Sequence, residues 1–175
     1  MWPRQCCALP LHLVASNPSL DVVLTALDGE HRPLEDWLTM FNLASVILDP
    51  YTNESSWILK TASRILAEFR GADVRVNFVV TCGPDDAKSF LGPLAEEFLV
   101  YCDPDRAFVQ SLGLQQLPAF VFVSMDGNVA ASAEGWDGAA WNKVAAAIAK
   151  ATVWSRPTIP VAGDPVPYQG TPASG

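Results

Sequence analysis

Residues 98–136, FLVYCDPDRAFVQSLGLQQLPAFVFVSMDGNVAASAEGW, change character repeatedly within one short span. FLVYCD is an apolar run of strand length. PDRAFVQSLGL carries a short helical pattern that Gly113 stops. LPAFVFV is a β-rich run headed by Pro118. It meets VAASAEGW across Asp126-Gly127, a dipeptide that closes tight hairpins because glycine accepts positive φ. Strand, helix and hairpin in this order require a sheet with a helix laid against it.

The alternation continues upstream. LDVVLTALDGEHRPL (20–34) reads as a hairpin turning at Asp28-Gly29, and LEDWLTMF (34–41) as one or two helical turns. LASVILD (43–49) is a continuous apolar strand ended by Pro50, which has no N–H to donate to a ladder. From Asn53 to Arg70, Ile58, Leu59, Ala62, Ile65, Leu66 and Phe69 recur at helical spacing, and Gly71 reads as the C-cap. DVRVNFVVT (73–81) is the next strand, so strand, helix and strand predict a parallel pair with a right-handed crossover. GPDDAKSFLGPLAEEF (83–98) is helical and split by Gly92-Pro93. Trp141, Val144, Ala145 and Ile148 mark the face of a last helix over 137–152.

At 175 residues and half hydrophobic, the chain has the size of one domain with a real core. Eleven Lys plus Arg stand against 19 Asp plus Glu, a net charge of −8 with no basic run, so nucleic acid is not an expected partner. No apolar run reaches the roughly 18 residues that membrane insertion needs. The N-terminal apolar run is short and proline-interrupted, and a cytoplasmic location is expected. Residues 1–19 form an N-terminal segment for which no packed structure is expected, and 20–153 the domain. The remaining 154–175 are a tail; its last 21 residues hold five prolines and three glycines and are expected to be ordered only in a groove.

The four cysteines are Cys6-Cys7, Cys82 and Cys102, a spacing that fits neither a disulfide framework nor a zinc site. His12 and His31 stand far apart with no carboxylate at ligand spacing. No metal site and no cofactor are expected.

From about Leu20 to Ala151, these elements resemble the TlpA-like and peroxiredoxin-like (AhpC/TSA-like) branch of the thioredoxin fold. LTALDGEHRPLEDW resembles that branch's opening strands. Residues 98–136 are similar to its C-terminal half, where a short helix ending in Leu-Gly-Leu precedes a proline-headed strand. The resemblance implies an α/β fold: a thioredoxin-like mixed sheet flanked by helices, with the N-terminal hairpin as an extension. It implies that Leu117-Pro118 is a cis peptide whose preceding residue offers backbone groups to an extended segment.

The resemblance also implies a C-x-x-C pair at the start of the helix after the first central strand, where the helix N-terminus favours a thiolate. This chain has none. Spacing from Asp49 puts Ser55-Ser56-Trp57-Ile58 there, registering on the helix face puts Ser56 to Leu59 there, and peroxiredoxin spacing from Pro50 puts Trp57 at the peroxidatic position. Disulfide exchange needs a thiolate that attacks and leaves, and a serine hydroxyl stays protonated. Ser55 and Ser56 read as N-cap and first-turn residues whose hydroxyls take free N–H groups. Asp49 reads as a strand-end residue rather than a proton relay.

Two functions follow. In the first, the chain is a redox-inactive binding or chaperone module that assists another enzyme. It would hold a protein partner through Ser55, Ser56, Trp57, Leu117 and Pro118. In the second, it is an atypical thiol oxidoreductase or peroxidase working through Cys82, at a parallel-strand end, or Cys102.

Overall fold

The computed structural model describes residues 15–175; Cys6, Cys7, His12 and most of the N-terminal segment lie outside them. In chain order the strands and helices are β1 (Val23–Ala26), β2 (His31–Pro33), α1 (Leu34–Trp37), β3 (Asn42–Leu48), α2 (Asn53–Trp57), α3 (Leu59–Glu68), β4 (Val74–Val80), α4 (Pro84–Leu91) and α5 (Leu94–Glu97). They continue as β5 (Leu99–Cys102), α6 (Ala107–Ser111), β6 (Gln116–Leu117), β7 (Ala119–Val123), β8 (Val129–Glu134), α7 (Gly138–Thr152) and β9 (Thr171–Pro172). Seven strands form one mixed sheet in the order β2-β1-β5-β4-β3-β7-β8, and β6 pairs with β9 separately.

The apolar run of β3 has its cause in this order. It runs parallel to β4 on one side and antiparallel to β7 on the other, and every side chain from Leu43 to Leu48 is buried. Ala44, Val46 and Leu48 pack with Ile58, Ile65, Phe78 and Trp141 on one face. Leu43 and Ile47 pack with Leu24, Trp37, Tyr101 and Phe108 on the other. A strand covered on both faces has no polar side to alternate with. The entry hairpin turns at Gly29, φ +90°, and extends the sheet through antiparallel pairing of β1 with β5. The Asp126-Gly127 turn joins β7 to β8 with Gly127 at φ +83°.

The helix expected over 53–70 is two elements. Its backbone breaks at Ile58, whose side chain is wholly buried, and α3 then presents Ala62, Ile65 and Leu66 to the core. Gly71 is not a left-handed C-cap. A Cβ there would stand 2.9 Å from the Trp154 ring, so the glycine makes room for that indole, whose Nε1 donates to Glu68 O at 2.7 Å.

Residues 15–19 lie on the domain, with Ala15 buried, Ser16 N–H on Leu112 O and the Asn17 side chain on Asn128. The tail also packs. Ile159 is buried, and Asp164 receives the Arg64 guanidinium at 2.9 and 3.2 Å and the Thr61 hydroxyl at 2.9 Å. Its proline and glycine content thus describes an extended segment fastened along α3 rather than a free one. None of the helices among the described residues is long and apolar enough to cross a membrane.

α7 begins at Asp137, whose carboxylate accepts from Ala139 N–H. Asp137→Ala is expected to lower stability by about 1 kcal/mol, read as a urea-midpoint shift.

Candidate functional site

β3 delivers Asp49 to the sheet's end, and the turn that follows is closed by short polar side chains. The Thr52 N–H and hydroxyl both donate to Asp49 O, at 3.2 and 3.0 Å. The Ser55 hydroxyl accepts from Asp49 N–H at 2.9 Å, and Ser55 is completely buried. Ser56 is exposed and its hydroxyl donates to Thr52 O. The expected role holds in part: Ser55 lies in the first turn of α2 and its hydroxyl takes a main-chain N–H, but the N-cap is Thr52, and neither serine takes one of the helix's own N–H groups. Ser55 fastens the turn instead. Trp57 lies outward, 54% exposed.

Leu117-Pro118 is cis. The buried Leu117 pairs antiparallel with Thr171 and Gln116 with Pro172, so the edge before the cis-proline carries a strand from the chain's own C-terminal segment. Ala173 N–H donates to Gln115 O at 2.9 Å, and Gly170 N–H to the Gln116 side chain at 3.2 Å. Upstream, Tyr168 and Trp136 exchange both main-chain hydrogen bonds at 2.9 Å. The Tyr168 ring stands edge-on to Trp57, 5.5 Å between centroids, and its hydroxyl donates to the Glu54 carbonyl in the first turn of α2. Trp57 and Leu117 thus bracket one segment, 168–173. Burial, and secondarily the charge of Glu54, push the Tyr168 phenol up.

Arg106 ties this segment to the sheet. It sits at φ +58°, a left-handed conformation that is costly for a residue with a Cβ. From there its guanidinium donates to Asp49 Oδ2 and to Ala173 O, each at 2.8 Å. Asp49 Oδ1 accepts from Tyr51 N–H, so both carboxylate oxygens are engaged at a nearly enclosed site. Below it, the buried Asp103 carboxylate receives Phe108 and Val109 N–H, and burial raises its pKa.

Cys82 and Cys102 are free and buried. Burial, then the neighbouring Cys102 and the carboxylates of Asp86 and Asp49, push the Cys82 thiol up to about 12. Burial raises Cys102 as well, against a small opposing effect of Lys88. Both lie at the same sheet end as Asp49 but are withdrawn from the surface. Trp136 is core, its indole edge-on to Trp141 and its Nε1 on Pro165 O.

Arg106, Tyr168 and Gly170 were not singled out from sequence. The signal available was Tyr168, an aromatic alone in a proline-rich run and a natural anchor for an extended segment.

No protein-family model matches the chain and no curated protein matches it. Among solved structures it is similar to a Chlorobium tepidum protein described as a thiol:disulfide interchange protein DsbE, at 19% identity and TM-score 0.65, over 79% of this chain and 97% of that one. It is similar to Xanthomonas campestris peroxiredoxin Q, at 17% identity and TM-score 0.62, over 75% and 92%. It is also similar to a secreted Mycobacterium tuberculosis disulfide oxidoreductase homologous to E. coli DsbE, at 19% and 0.55, over 67% and 85%. The chain has the thioredoxin fold.

Proposed function

We propose that the chain is a redox-inactive thioredoxin-fold module, an accessory or chaperone that holds a protein segment and assists another enzyme. One observation carries this reading. The edge at Leu117 carries an extended segment by main-chain pairing, the mode in which a polypeptide adds to a sheet edge. Beside it, α2 opens with a buried hydroxyl and an indole where the resemblance implies thiols. Ser55 and Ser56 hold the α2 turn, Trp57 supplies an aromatic face, and Leu117 with Pro118 supplies the pairing edge. The partner is a protein. A cytoplasmic setting fits the two unpaired thiols among the described residues.

The alternative, thiol chemistry at Cys82 or Cys102, has both sulfurs at the right end of the sheet. Burial and raised pKa values count against it, because the thiolate is the nucleophile. Purified chain given a peptide disulfide or hydrogen peroxide is expected to give no saturable turnover, in wild type and in Cys82→Ser, Cys102→Ser alike. Turnover in wild type that the double variant loses would assign the chemistry to those thiols.

A further inference from the structure

We infer that residues 168–173 are an internal ligand of the Leu117 edge, and that the partner segment recognised there repeats their features. Those features are an aromatic residue set against Trp57, a glycine two positions later, and two following residues paired with Leu117 and Gln116. The inference rests on the binding reading of this edge.

Three observations carry it. The segment pairs main chain to main chain with the domain at both ends, through Trp136 and through Gln115 to Leu117. This is how a separate peptide adds to a sheet edge. The approach is closer than a side chain allows: a Cβ on Gly170 would stand 2.4 Å from Leu117 O, so the edge selects glycine at that position. Opposite it, Gly135 lies at φ +69°, and a Cβ there would stand 2.9 Å from Tyr168 O. Domain and segment have each given up a side chain where they meet.

The segment is also tethered in a way that lets it leave. Asp164, four residues before Tyr168, is held by Arg64 and Thr61 on α3. That anchor would keep the upstream chain in place when residues 168–173 leave the edge, where Arg106 on Ala173 O and the Tyr168 hydroxyl on Glu54 O also hold them. A tethered ligand competes at high effective concentration, so an outside segment binds only as the internal one vacates the edge. Trp57 stays half-exposed with Tyr168 beside it, leaving a face on which an incoming aromatic residue first lands.

The test is titration of a labelled peptide of residues 166–174, VPYQGTPAS, into the full chain as wild type, Gly170→Val and Tyr168→Ala. Gly170→Val expels its own strand by the clash at Leu117 O; Tyr168→Ala removes the contact with Trp57 and serves if the first variant does not fold. Both variants are expected to bind the peptide. Wild type is expected to bind at least about a hundredfold more weakly, the loss when an edge is open in roughly one molecule in a hundred. A peptide with valine for its glycine is expected not to bind. Equal affinity for wild type and a folded variant, or no binding to any folded variant, would overturn the inference. So would a wild-type dimer in sedimentation whose partners exchange the strand, because the occupant would then be a second copy. Disulfide turnover by the wild type would remove the binding-module reading without touching the peptide result, so the two failures are separable.

Discussion

Asp49→Ala is expected to destabilise the domain by about 3 kcal/mol, the effect of leaving a nearly buried cation without its counter-charge. Asp49 and Arg106 are 5% and 15% exposed at their side chains, and the carboxylate also accepts from Tyr51 N–H. Removing it leaves the guanidinium of Arg106, a residue at φ +58°, with Ala173 O alone. The same guanidinium holds Ala173 O, so the loss is expected to spread to the C-terminal strand. Asp49→Asn keeps an acceptor in place and is expected to cost less, about 1–2 kcal/mol. Urea unfolding of both variants measures the difference. A loss under about 1 kcal/mol in Asp49→Ala would mean that Arg106 is solvated and that the pair does not organise this end of the sheet.

The second large effect concerns Cys82. A thiol raised to about 12 is ionised in only about one molecule in ten thousand at pH 8, against roughly a quarter for an ordinary free thiol. Iodoacetamide attacks by way of the thiolate, so native Cys82 is expected to alkylate more slowly than in urea, by on the order of a thousandfold. Because the working pH lies below the raised pKa throughout, the native rate is expected to climb about tenfold per pH unit from 8 to 10. Mass spectrometry of the Cys82 peptide measures both. Native labelling at pH 8 within about tenfold of the unfolded rate would restore Cys82 as a candidate nucleophile.

What the sequence made legible follows from how local each signal is. The Asp28-Gly29 and Asp126-Gly127 turns, the all-buried run of β3 and the proline heading β7 are short-range patterns with one physical solution each. The break at Ile58 is different, because Ile58, Ala62, Ile65 and Leu66 keep helical spacing across it and the periodicity carries no trace of the interruption. Gly71 answers to Trp154, a residue far along the chain, which spacing near the helix end does not reveal. The absence of a C-x-x-C was plain from the spacing of the four cysteines, whereas the role of Ser55 was not. Its partner, Asp49 N–H, is set by a turn that only the tertiary arrangement fixes. The largest omission was residues 168–173. Prolines mark a segment that cannot build its own ladder, and they do not say which existing edge it will join.

Hydrogen exchange at the amides of Tyr168 and Ala173 in the intact chain tests most directly whether the Leu117 edge is a strand-binding edge filled by its own segment. Those amides donate to Trp136 O and Gln115 O at 2.9 Å. Both are expected to exchange at least about a hundredfold more slowly than in an unstructured chain, together, and to lose that protection together in Gly170→Val. Exchange at unprotected rates in wild type would mean that the edge stands open, and the account of a self-filled binding module would fail.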